Sequence, residues 1–333
     1  MQAELPLITL AVIAYRQEAY IREAVAGALS QTYAPLEIIL SDDGSPDATY
    51  AVMEEMVRDY SGPHSLRLRR NEKNLGLIGH LNAVLEEASG EWIVLAAGDD
   101  ISLPDRCERI AEVTKSVSGI FSTLSFCEVI GDSAADAEGS LGVSEEWIGS
   151  TEAIHRQIFR KFGPLLPTTY SEDWAFLFRA QLLGRTALIE KPLVKWRRHG
   201  ASLTSGFYRA KVLKQMEIHL SNLAQFEKDL AEGGLPPSES ATIRHGLALR
   251  RGILEAVLAR KMPHRLVSSV FRDPAVSWME KISIVAVLAA PVLLGVFRRV
   301  EMSRFSPLSP TRHAFGFVNP KSLLRRVERV RPV

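Results

Sequence analysis

The sequence predicts an α/β protein with a doubly wound, mostly parallel sheet and helices on both faces, followed by a helical C-terminal region. Three observations support this fold class. Short apolar runs alternate four times with amphipathic helical patterns in the first hundred residues, as expected of repeated strand–helix–strand units. Hydrophobic residues make up 46% of the 333 residues, which is enough for a sizeable core. Beyond Phe207 the short runs give way to long helical patterns.

The first strand–helix unit follows from hydrophobic periodicity. Residues 7–15 (LITLAVIAY) form a continuous apolar run, which is typical of a strand covered by helices on both faces. The residues before it carry no positive segment and include Glu4, so we interpret the run as a strand and not as a signal peptide. Helical spacing of apolar residues then predicts a helix with one buried stripe, formed by Ile21, Ala24, Val25, Ala28 and Leu29.

Three more strands and two more helices complete the predicted sheet. LEIIL (36–40) predicts the second strand, and the pair Ser45–Pro46 predicts the N-cap and first turn of the next helix. Strands at 65–70 and 91–97 flank a helix over about 77–88. The apolar stripe of the helix after Pro46 is formed by Val52, Met53, Met56, Val57 and Tyr60.

Charge and cysteine content narrow the class of protein. The net charge is +1, so no nucleic acid partner is expected, although residues 298–333 are basic. Cys107 and Cys127 are too few for a metal cluster, and such low cysteine usage suits a reducing compartment. We expect both cysteines to be buried and unreactive.

Two pairs of adjacent carboxylates stand at the ends of predicted strands. Asp42 and Asp43 follow the second strand, and Asp99 and Asp100 follow the fourth. Because parallel strands end at one edge of a sheet, these loops and residues 14–16 should lie side by side. Like charges so close repel unless a cation or several hydrogen-bond donors neutralise them. Oxygen ligands without a nearby Cys or His pair favour Mg²⁺ or Mn²⁺, with water and substrate phosphates completing the shell.

Four motifs in a fixed order carry a resemblance to a known family. They are VIAYRQEAYIREAVAGALSQTYAPLEIILSDDGSPDAT (12–49), NEKNLGLIGHLNAVLEEASGEWIVLAAGDD (71–100), SEDWAFLFRAQLLGR (171–185) and KWRRHGASLT (195–204). Together they resemble a family 2 glycosyltransferase of the GT-A fold, of the bacterial surface-polysaccharide type. The resemblance implies a GT-A domain over residues 1–205, with a nucleotide-sugar half at about 1–105 and an acceptor half at about 106–205.

The resemblance also implies a reaction and its partners. A sugar would be transferred from a UDP-, dTDP- or GDP-sugar to a hydroxyl of a glycan or lipid-linked acceptor, with inversion at the anomeric carbon, in cell-surface polysaccharide or glycolipid synthesis. Asp173 would be the general base, and Glu172 beside it would orient the acceptor. The chemistry independently needs such a base, because an alcohol that attacks an anomeric carbon must lose a proton.

On the donor side the resemblance implies both nucleotide contacts and metal ligands. Tyr15 and Asp43 would line the nucleoside base. Asp99 would hold the ribose, and Asp99, Asp100 and His199 would hold a metal on the diphosphate, whose developing charge must be neutralised. Further donor contacts would come from Ala14, Arg16, Glu18, Gly44, Asn74, Gly76 and Asn82.

The chain departs from the family pattern at two positions. Ala97 stands where the family often has a further Asp, and Arg16 stands where Asn usually follows the tyrosine. Neither change removes a catalytic group. Two of the implied residues also have purely structural interpretations: Asp173 as an acid favoured at a helix start, and His199 as a solvated loop residue.

Two other functions remain as alternatives, a sugar-phosphate nucleotidyltransferase and a binding protein without activity. A sugar-phosphate nucleotidyltransferase shares the sheet but would begin with a Gly-rich loop, and residues 12–18 contain no glycine. A dehydrogenase would need GxGxxG after the first strand, which is absent. The non-enzyme alternative is a catalytically degenerate, membrane-attached protein that binds nucleotide-sugars. Ala97 favours it, and the presence of Asp99, Asp100 and Asp173 argues against it.

The region 206–333 is predicted to be helical. Residues 278–299 include a run of sixteen uncharged residues, short of the roughly 20 that span a bilayer and interrupted by Pro291. With its basic flank this run favours a membrane-associating interfacial segment, with a buried core helix as the alternative. We therefore expect a cytoplasmic protein that is peripheral on the inner face of the cell membrane. Heptad-like spacing, compatible with a helical hairpin, a homodimer seam or core packing, occurs at Leu213, Met216, Leu220 and Leu223.

Overall fold

The computed structural model describes residues 5–116, 121–132, 140–144, 148–200, 212–258 and 327–330. The chain forms two compact units, one of Met1–Arg209 with Arg326–Val333 and one of Ala210–Arg325. The domain boundary that the sequence predicts at residue 205 stays a prediction.

One mixed, ten-stranded sheet organises the first unit. Its strands are β1 (Ile8–Ala14), β2 (Leu36–Asp42), β3 (Ser65–Arg70), β4 (Trp92–Ala97), β5 (Ile101–Ser102), β6 (Phe121–Ile130), β7 (Val143–Ser144), β8 (Glu152–His155), β9 (Arg185–Arg197) and β10 (Val327–Val330). The main path runs in the order β10-β9-β6-β8-β4-β1-β2-β3, with β5 paired to β9 and β7 to β6.

Helices alternate with these strands as the sequence predicts. They are α1 (Ile21–Leu29), α2 (Thr49–Val57), α3 (Gly76–Glu87), α4 (Arg106–Ser116), α5 (Arg156–Phe162), α6 (Glu172–Leu183), α7 (Val212–Glu232) and α8 (Pro237–Leu258). A 3-10 turn at Gly149–Thr151 precedes β8. The Glu-Asp motif lies at the start of α6. The predicted apolar stripe of α1 is confirmed, and of its residues Ile21, Ala24, Val25 and Ala28 are buried.

Most strand pairs are parallel, which confirms the predicted fold class. β1 pairs in parallel with β2 and β4, and β2 pairs in parallel with β3. β6 and β9 form a second parallel pair. β8 lies between these two groups and runs antiparallel to both β4 and β6, so the two halves of the domain share one continuous sheet.

The main core lies between this sheet and the helices α1, α2 and α4. Every residue of β2 is buried, as a strand with both faces covered requires. Cys107 of α4 belongs to this core and Cys127 lies in a smaller apolar cluster on β6 and β9. Both cysteines are buried and reduced, as predicted, and burial raises the pKa of the Cys107 thiol to about 12.

The predicted N-cap at Ser45 is wrong, because α2 begins four residues later at Thr49. Ser45 is used within the loop instead: its backbone N–H donates to Asp42 Oδ2 over 3.0 Å, and its hydroxyl accepts from Arg16 N over 2.9 Å. The side chain of Asp47 accepts the N–H of Thr49. The loop therefore fixes the end of β2 before the helix starts.

The last strand of the sheet comes from the far C-terminal part of the chain, which the sequence predicts to be helical. β10 pairs in parallel with Thr186–Ile189 of β9. Its sequence is only four residues long and contains Glu328 and Arg329, so it lacks the apolar run by which the other strands are predicted. The pairing covers the outer edge of β9.

In the second unit α7 and α8 pack on each other. Leu223, Phe226 and Leu230 of α7 and Leu247 and Leu254 of α8 are buried, and Arg251 forms a two-pronged ion pair with Glu227. Within the described residues no helix is long and apolar enough to cross a membrane. The predicted membrane-associating segment 278–299 lies outside the described residues, and the homodimer through α7 stays a prediction.

Candidate active site

Three loops meet at the carboxyl ends of β1, β2 and β4, as the sequence predicts. The loop after β1 is joined to the loop after β2 by the N–H of Asp43, which donates to Ala14 O over 2.9 Å. It is joined to the loop after β4 by the N–H of Gly98, which donates to Ile13 O over 2.9 Å. Arg16 has a left-handed backbone with φ 56°, which turns the first loop back toward Ser45.

Gly98 is required by the close approach of the first and third loops. A Cβ atom at this position would lie 2.7 Å from the Cβ of Ala14 and would collide with the side-chain oxygen of Gln17. Any larger residue would push Asp99 and Asp100 away from the loop after β1. The sequence analysis did not single out Gly98, although a glycine directly before an acid pair is a signal for it.

Hydrogen-bond donors, and not a cation alone, neutralise the first acid pair. Asp42 Oδ2 accepts from Ser45 N and forms an ion pair with Arg70 at 3.1 Å. Asp43 Oδ1 accepts from Asn71 Nδ2 over 2.7 Å and from Leu75 N over 2.9 Å. Both carboxylates are buried. The repulsion that the sequence indicates is therefore offset here by four protein donors.

The second acid pair is bonded to residues 195–200 at the end of β9, which we call the closing segment. Asp99 Oδ2 lies 2.8 Å from His199 Nε2, and this hydrogen bond raises the pKa of His199. Asp100 Oδ1 accepts the N–H of Arg197 over 2.9 Å. Burial, and then the charge of Asp99, raise the pKa of Asp100 to about 7, although a hydrogen bond from the Ser150 side chain lowers it.

This donor set fits a hard divalent cation held by few protein ligands. Asp99, Asp100 and His199 come together from loops about a hundred residues apart in sequence. A raised carboxyl pKa beside a second carboxylate indicates negative charge that the protein alone leaves poorly neutralised. Among the described residues no group of three or more His, Cys, Asp or Glu side chains is placed to hold a metal ion, so the three predicted ligands are not assembled as a metal site here, and substrate phosphates and water would have to supply most of the shell.

Arg197 and Tyr20 hold the closing segment in place, and the sequence analysis missed both. The buried guanidinium of Arg197 donates to Asp99 O over 3.1 Å and pairs with Glu23 of α1. It also stacks on the Tyr20 ring, 5.1 Å from its centroid. The Tyr20 hydroxyl donates to Asp132 over 2.6 Å, and its ring lies 4.7 Å from the ring of His199.

The second group of acids lies at the start of α6. Glu172 and Asp173 are partly exposed, yet they are enclosed enough that burial raises the pKa of Asp173 to about 6. Burial, and then the charge of Asp173, raise the pKa of Glu172 to about 8. Asp173 Oδ1 accepts the N–H of Trp174 over 2.8 Å, which fixes the orientation of this carboxyl at the helix start.

The 3-10 turn connects the two groups of acids. Ser150 donates to the Asp100 side chain. Gly149 next to it packs against Glu172, since a Cβ atom on Gly149 would collide with Glu172 Oε1. Residues of one three-residue turn therefore contact the metal-type acid pair on one side and the acid pair of α6 on the other. No pattern in the sequence singled out this turn.

A third acid, Glu152, lies behind the pair on α6 and was also missed. It pairs across the sheet with Leu124, whose side chain packs on Leu177 of α6, so Glu152 faces the same helix. It is fully buried, and within the described residues neither carboxyl oxygen has a hydrogen-bond partner. Burial, and then the charges of Asp173 and Glu172, raise its pKa well above the usual value.

The remaining predicted donor contacts lie on the loops around this edge of the sheet. Tyr15 is exposed, with the Arg16 guanidinium 5.5 Å from its ring centroid. Glu18 accepts the N–H of Ala48 over 2.9 Å. Asn74 accepts the N–H of Gly76 over 2.7 Å, and nothing lies within 4 Å of a Cβ placed on Gly76.

Two other predicted donor contacts have clear packing roles. Gly44 has φ +68° and approaches the loop after β3 so closely that a Cβ atom would lie 3.0 Å from the Lys73 carbonyl carbon. Asn82 donates to Leu165 O over 2.9 Å and accepts from Leu165 N over 2.8 Å. Its amide is thus used to fasten α3 to the loop before α6.

Comparison with solved structures identifies the class of fold. The structure is similar to Staphylococcus aureus TarS residues 1–349 in complex with UDP-GlcNAc, with a TM-score of 0.59 and 15% identity over 91% of this chain and 94% of that one. It is also similar to the mannosyltransferase PcManGT from Pyrobaculum calidifontis in complex with GDP-Man and Mn²⁺, with a TM-score of 0.56 and 16% identity over 95% and 86% of the two chains. The protein has the GT-A fold of these glycosyltransferases.

Comparison of sequences gives the family. Residues 9–121 match Glycosyl transferase family 2. An uncharacterized glycosyltransferase of Haemophilus influenzae is 28% identical over 248 residues, which cover 66% of this chain and 74% of the relative. The putative glycosyltransferase EpsE of Bacillus subtilis is 34% identical over 104 residues, which cover 31% and 37%. Residues 9–121 are therefore similar to a family 2 glycosyltransferase domain, and the two comparisons together support a glycosyltransferase.

Proposed function

We propose that the protein is an inverting glycosyltransferase that transfers a sugar from a nucleoside diphosphate sugar to an acceptor hydroxyl in a single displacement. The observation that carries this proposal is the link made by the 3-10 turn. Ser150 contacts Asp100, and Gly149 contacts Glu172, so a group suited to a diphosphate and a group suited to deprotonating an alcohol belong to one site.

The different pKa values of the two acids on α6 favour different roles for them. With its pKa raised to about 6, Asp173 is mostly ionised at pH 7 and still basic enough to take a proton. With its pKa raised to about 8, Glu172 is mostly protonated and donates a hydrogen bond to the acceptor. In the reaction, the acceptor oxygen bonds to the anomeric carbon, its proton passes to Asp173, and the bond to the nucleoside diphosphate breaks.

The opposite side of the site has the groups that a departing diphosphate needs. We propose Asp99, Asp100 and His199 as the ligands of Mg²⁺ or Mn²⁺, which would act as a Lewis acid on the diphosphate oxygens. Arg16, beside Tyr15 on the first loop, supplies a positive charge close to the same edge. Tyr15 and Asp43 are proposed to contact the nucleoside.

The donor and acceptor are proposed by class. The similar structures contain UDP-GlcNAc and GDP-Man, which supports a UDP-, dTDP- or GDP-sugar donor. We propose a glycan or lipid-linked acceptor in cell-surface polysaccharide or glycolipid synthesis, on the cytoplasmic face of the membrane.

The test measures binding and turnover separately. A panel of nucleotide-sugars with Mn²⁺ identifies the donor by thermal stabilisation. Donor hydrolysis or transfer is then measured as the nucleoside diphosphate that is released. Asp173→Asn should bind the donor like the wild type and lose transfer by at least about a hundredfold, the lower range for a general base. The exposed-site variant Arg22→Ala is the matched control. Transfer by Asp173→Asn at the wild-type rate would refute the assignment, and NMR of the product tests inversion.

A further inference from the structure

A chain of four buried or partly buried side chains runs behind Asp43, and none of its members has a role in the proposed reaction. His80 Nε2 lies 2.5 Å from Ser41 Oγ. Arg69 Nη1 donates to Ser41 Oγ over 2.7 Å, and Arg69 Nη2 donates to Asn71 Oδ1 over 2.8 Å. Asn71 Nδ2 then donates to Asp43 Oδ1 over 2.7 Å. The chain thus connects α3, β2 and β3 to the carboxylate.

The direction of each hydrogen bond follows from the donors that the side chains possess. Arginine has only donors, so Ser41 Oγ accepts from Arg69 and its own hydrogen is available to His80 Nε2. When Ser41 donates this hydrogen to Nε2, His80 is neutral and carries its proton on Nδ1. Burial, which lowers the pKa of His80 to about 4, supports the same neutral form near pH 7.

The same reasoning fixes the amide of Asn71. Because Arg69 donates to one end of the amide, that end must be the carbonyl oxygen Oδ1, and the NH₂ group must point to Asp43. The backbone N–H of Leu75 donates to the same Asp43 oxygen over 2.9 Å. Within the described residues both donors to this carboxylate bind Oδ1, which leaves Oδ2 to accept from a ligand.

Burial makes the orientation rigid. Ser41, His80, Asn71 and Asp43 are each less than a tenth exposed, and Arg69 is held from outside by an ion pair with Glu87 at 3.0 Å. In such surroundings a rotated Asp43 would leave Asn71 and Leu75 with unsatisfied donors, which is costly.

We propose that Asn71, Arg69, Ser41 and His80 are positioning residues that hold the Asp43 carboxylate in the one orientation that reads the nucleoside base of the donor. The inference rests on the proposed function, because it assigns the ligand of Asp43 to the base. A carboxylate only accepts hydrogen bonds. Where the held oxygen faces the ring nitrogen of the base, it binds a ring N–H (uracil, thymine and guanine) and repels the unprotonated ring nitrogen of cytosine and adenine, whose only donors are their exocyclic amino groups.

Calorimetry with UDP, dTDP, GDP, CDP and ADP in the presence of Mn²⁺ tests this inference on the full chain. We expect the wild type to bind at least one of UDP, dTDP and GDP more tightly than CDP and ADP. Asn71→Ala removes a hydrogen bond to a charged group, so its affinity for the preferred nucleotide should fall about tenfold, with a smaller preference over CDP. In the transfer assay KM for the donor should rise while kcat changes by less than about threefold.

A second variant changes the series of hydrogen bonds farther from Asp43, so that the inference can still be tested if Asn71→Ala does not fold. Ser41→Ala removes the link between Arg69 and His80 without touching Asn71, and it should shift affinity in the same direction by a smaller factor. Arg22→Ala, in an exposed ion pair between α1 and α2, is the control and should bind like the wild type.

The outcomes separate the two proposals. A wild-type protein that binds none of the five nucleotides would overturn the proposed function and this inference with it. If the wild type binds with the expected base preference, and folded Asn71→Ala and Ser41→Ala keep both the affinity and the preference, the positioning role alone is refuted.

Discussion

Replacing the buried acid Glu152 with glutamine should change how the stability of the protein depends on pH. Glu152 lies fully buried behind α6, and in the described part of the chain neither of its oxygens receives a hydrogen bond. An ionised carboxylate in that position would be costly, so burial and the neighbouring acids raise its pKa well above 4.5. Glu152→Gln keeps the shape of the side chain and removes the ionisation.

The size of the effect follows from proton linkage. Above pH 4.5 the unfolded chain has released this proton while the folded protein keeps it, so the free energy of unfolding falls by about 1.4 kcal/mol per pH unit until the folded pKa is reached. The stabilisation by the bound proton is complete below the unfolded pKa and is lost as pH rises. Between pH 5 and pH 7 the wild type should lose up to about 2.7 kcal/mol that Glu152→Gln does not lose.

Urea unfolding at pH 5, 6 and 7 measures this difference. Tryptophan fluorescence is a suitable probe, because Trp174 lies in the first turn of α6 and Trp92 of β4 pairs with His155 of β8. Glu54→Gln, at an exposed position on α2, is the matched control, and its free energy of unfolding should change with pH as that of the wild type does. If the free energy of unfolding has the same pH dependence in the wild type and in Glu152→Gln, Glu152 does not retain its proton in the folded state and the reasoning is refuted.

Three further predictions concern the reaction site. The pH–rate profile should lose activity as pH falls through about 6, because the Asp173 base becomes protonated; a flat profile from pH 5 to 7 would contradict this. Asp100→Ala should lose Mn²⁺-dependent donor affinity in calorimetry while the fold, measured by circular dichroism, is kept. Gly98→Ala should lower the unfolding free energy by about 1–3 kcal/mol, because its Cβ atom overpacks against Ala14; wild-type stability would show that the loops can separate freely.

The order of strands and helices around the donor edge could be predicted from periodicity alone. β1, β2, β3 and β4 occur within one or two residues of the predicted runs. Buried parallel strands such as β1, β2 and β4 are almost uniformly apolar, whereas β3 is an edge strand of mixed sequence. The meeting of Asp43 and Asp99 at one edge then follows from the parallel topology. The roles of Glu172 and Asp173 came only from the resemblance, and the helix start at which Asp173 lies was considered as its purely structural interpretation.

What could not be predicted depends on contacts between distant segments. Ser45 has the sequence pattern of a helix cap, but its hydroxyl accepts from the backbone N–H of Arg16 in another loop. No pattern within the local sequence indicates this hydrogen bond. Glu152 was not recognised because a charged residue beside Ala153 and Ile154 has no periodic signal of its burial. The roles of Arg197 and Ser150 depend on β9 and the 3-10 turn approaching Asp99 and Asp100, which only the tertiary fold determines.

The strand β10 has a practical consequence for any shortened form of the protein. If the chain were cut after residue 209 to isolate the catalytic unit, the backbone N–H and C=O groups of Thr186–Ile189 that β10 covers would be left open. An uncovered strand of this kind pairs readily with a second molecule. We therefore expect such a fragment to self-associate or precipitate because it lacks β10. Adding residues 326–333 back through a short linker should give a monodisperse domain.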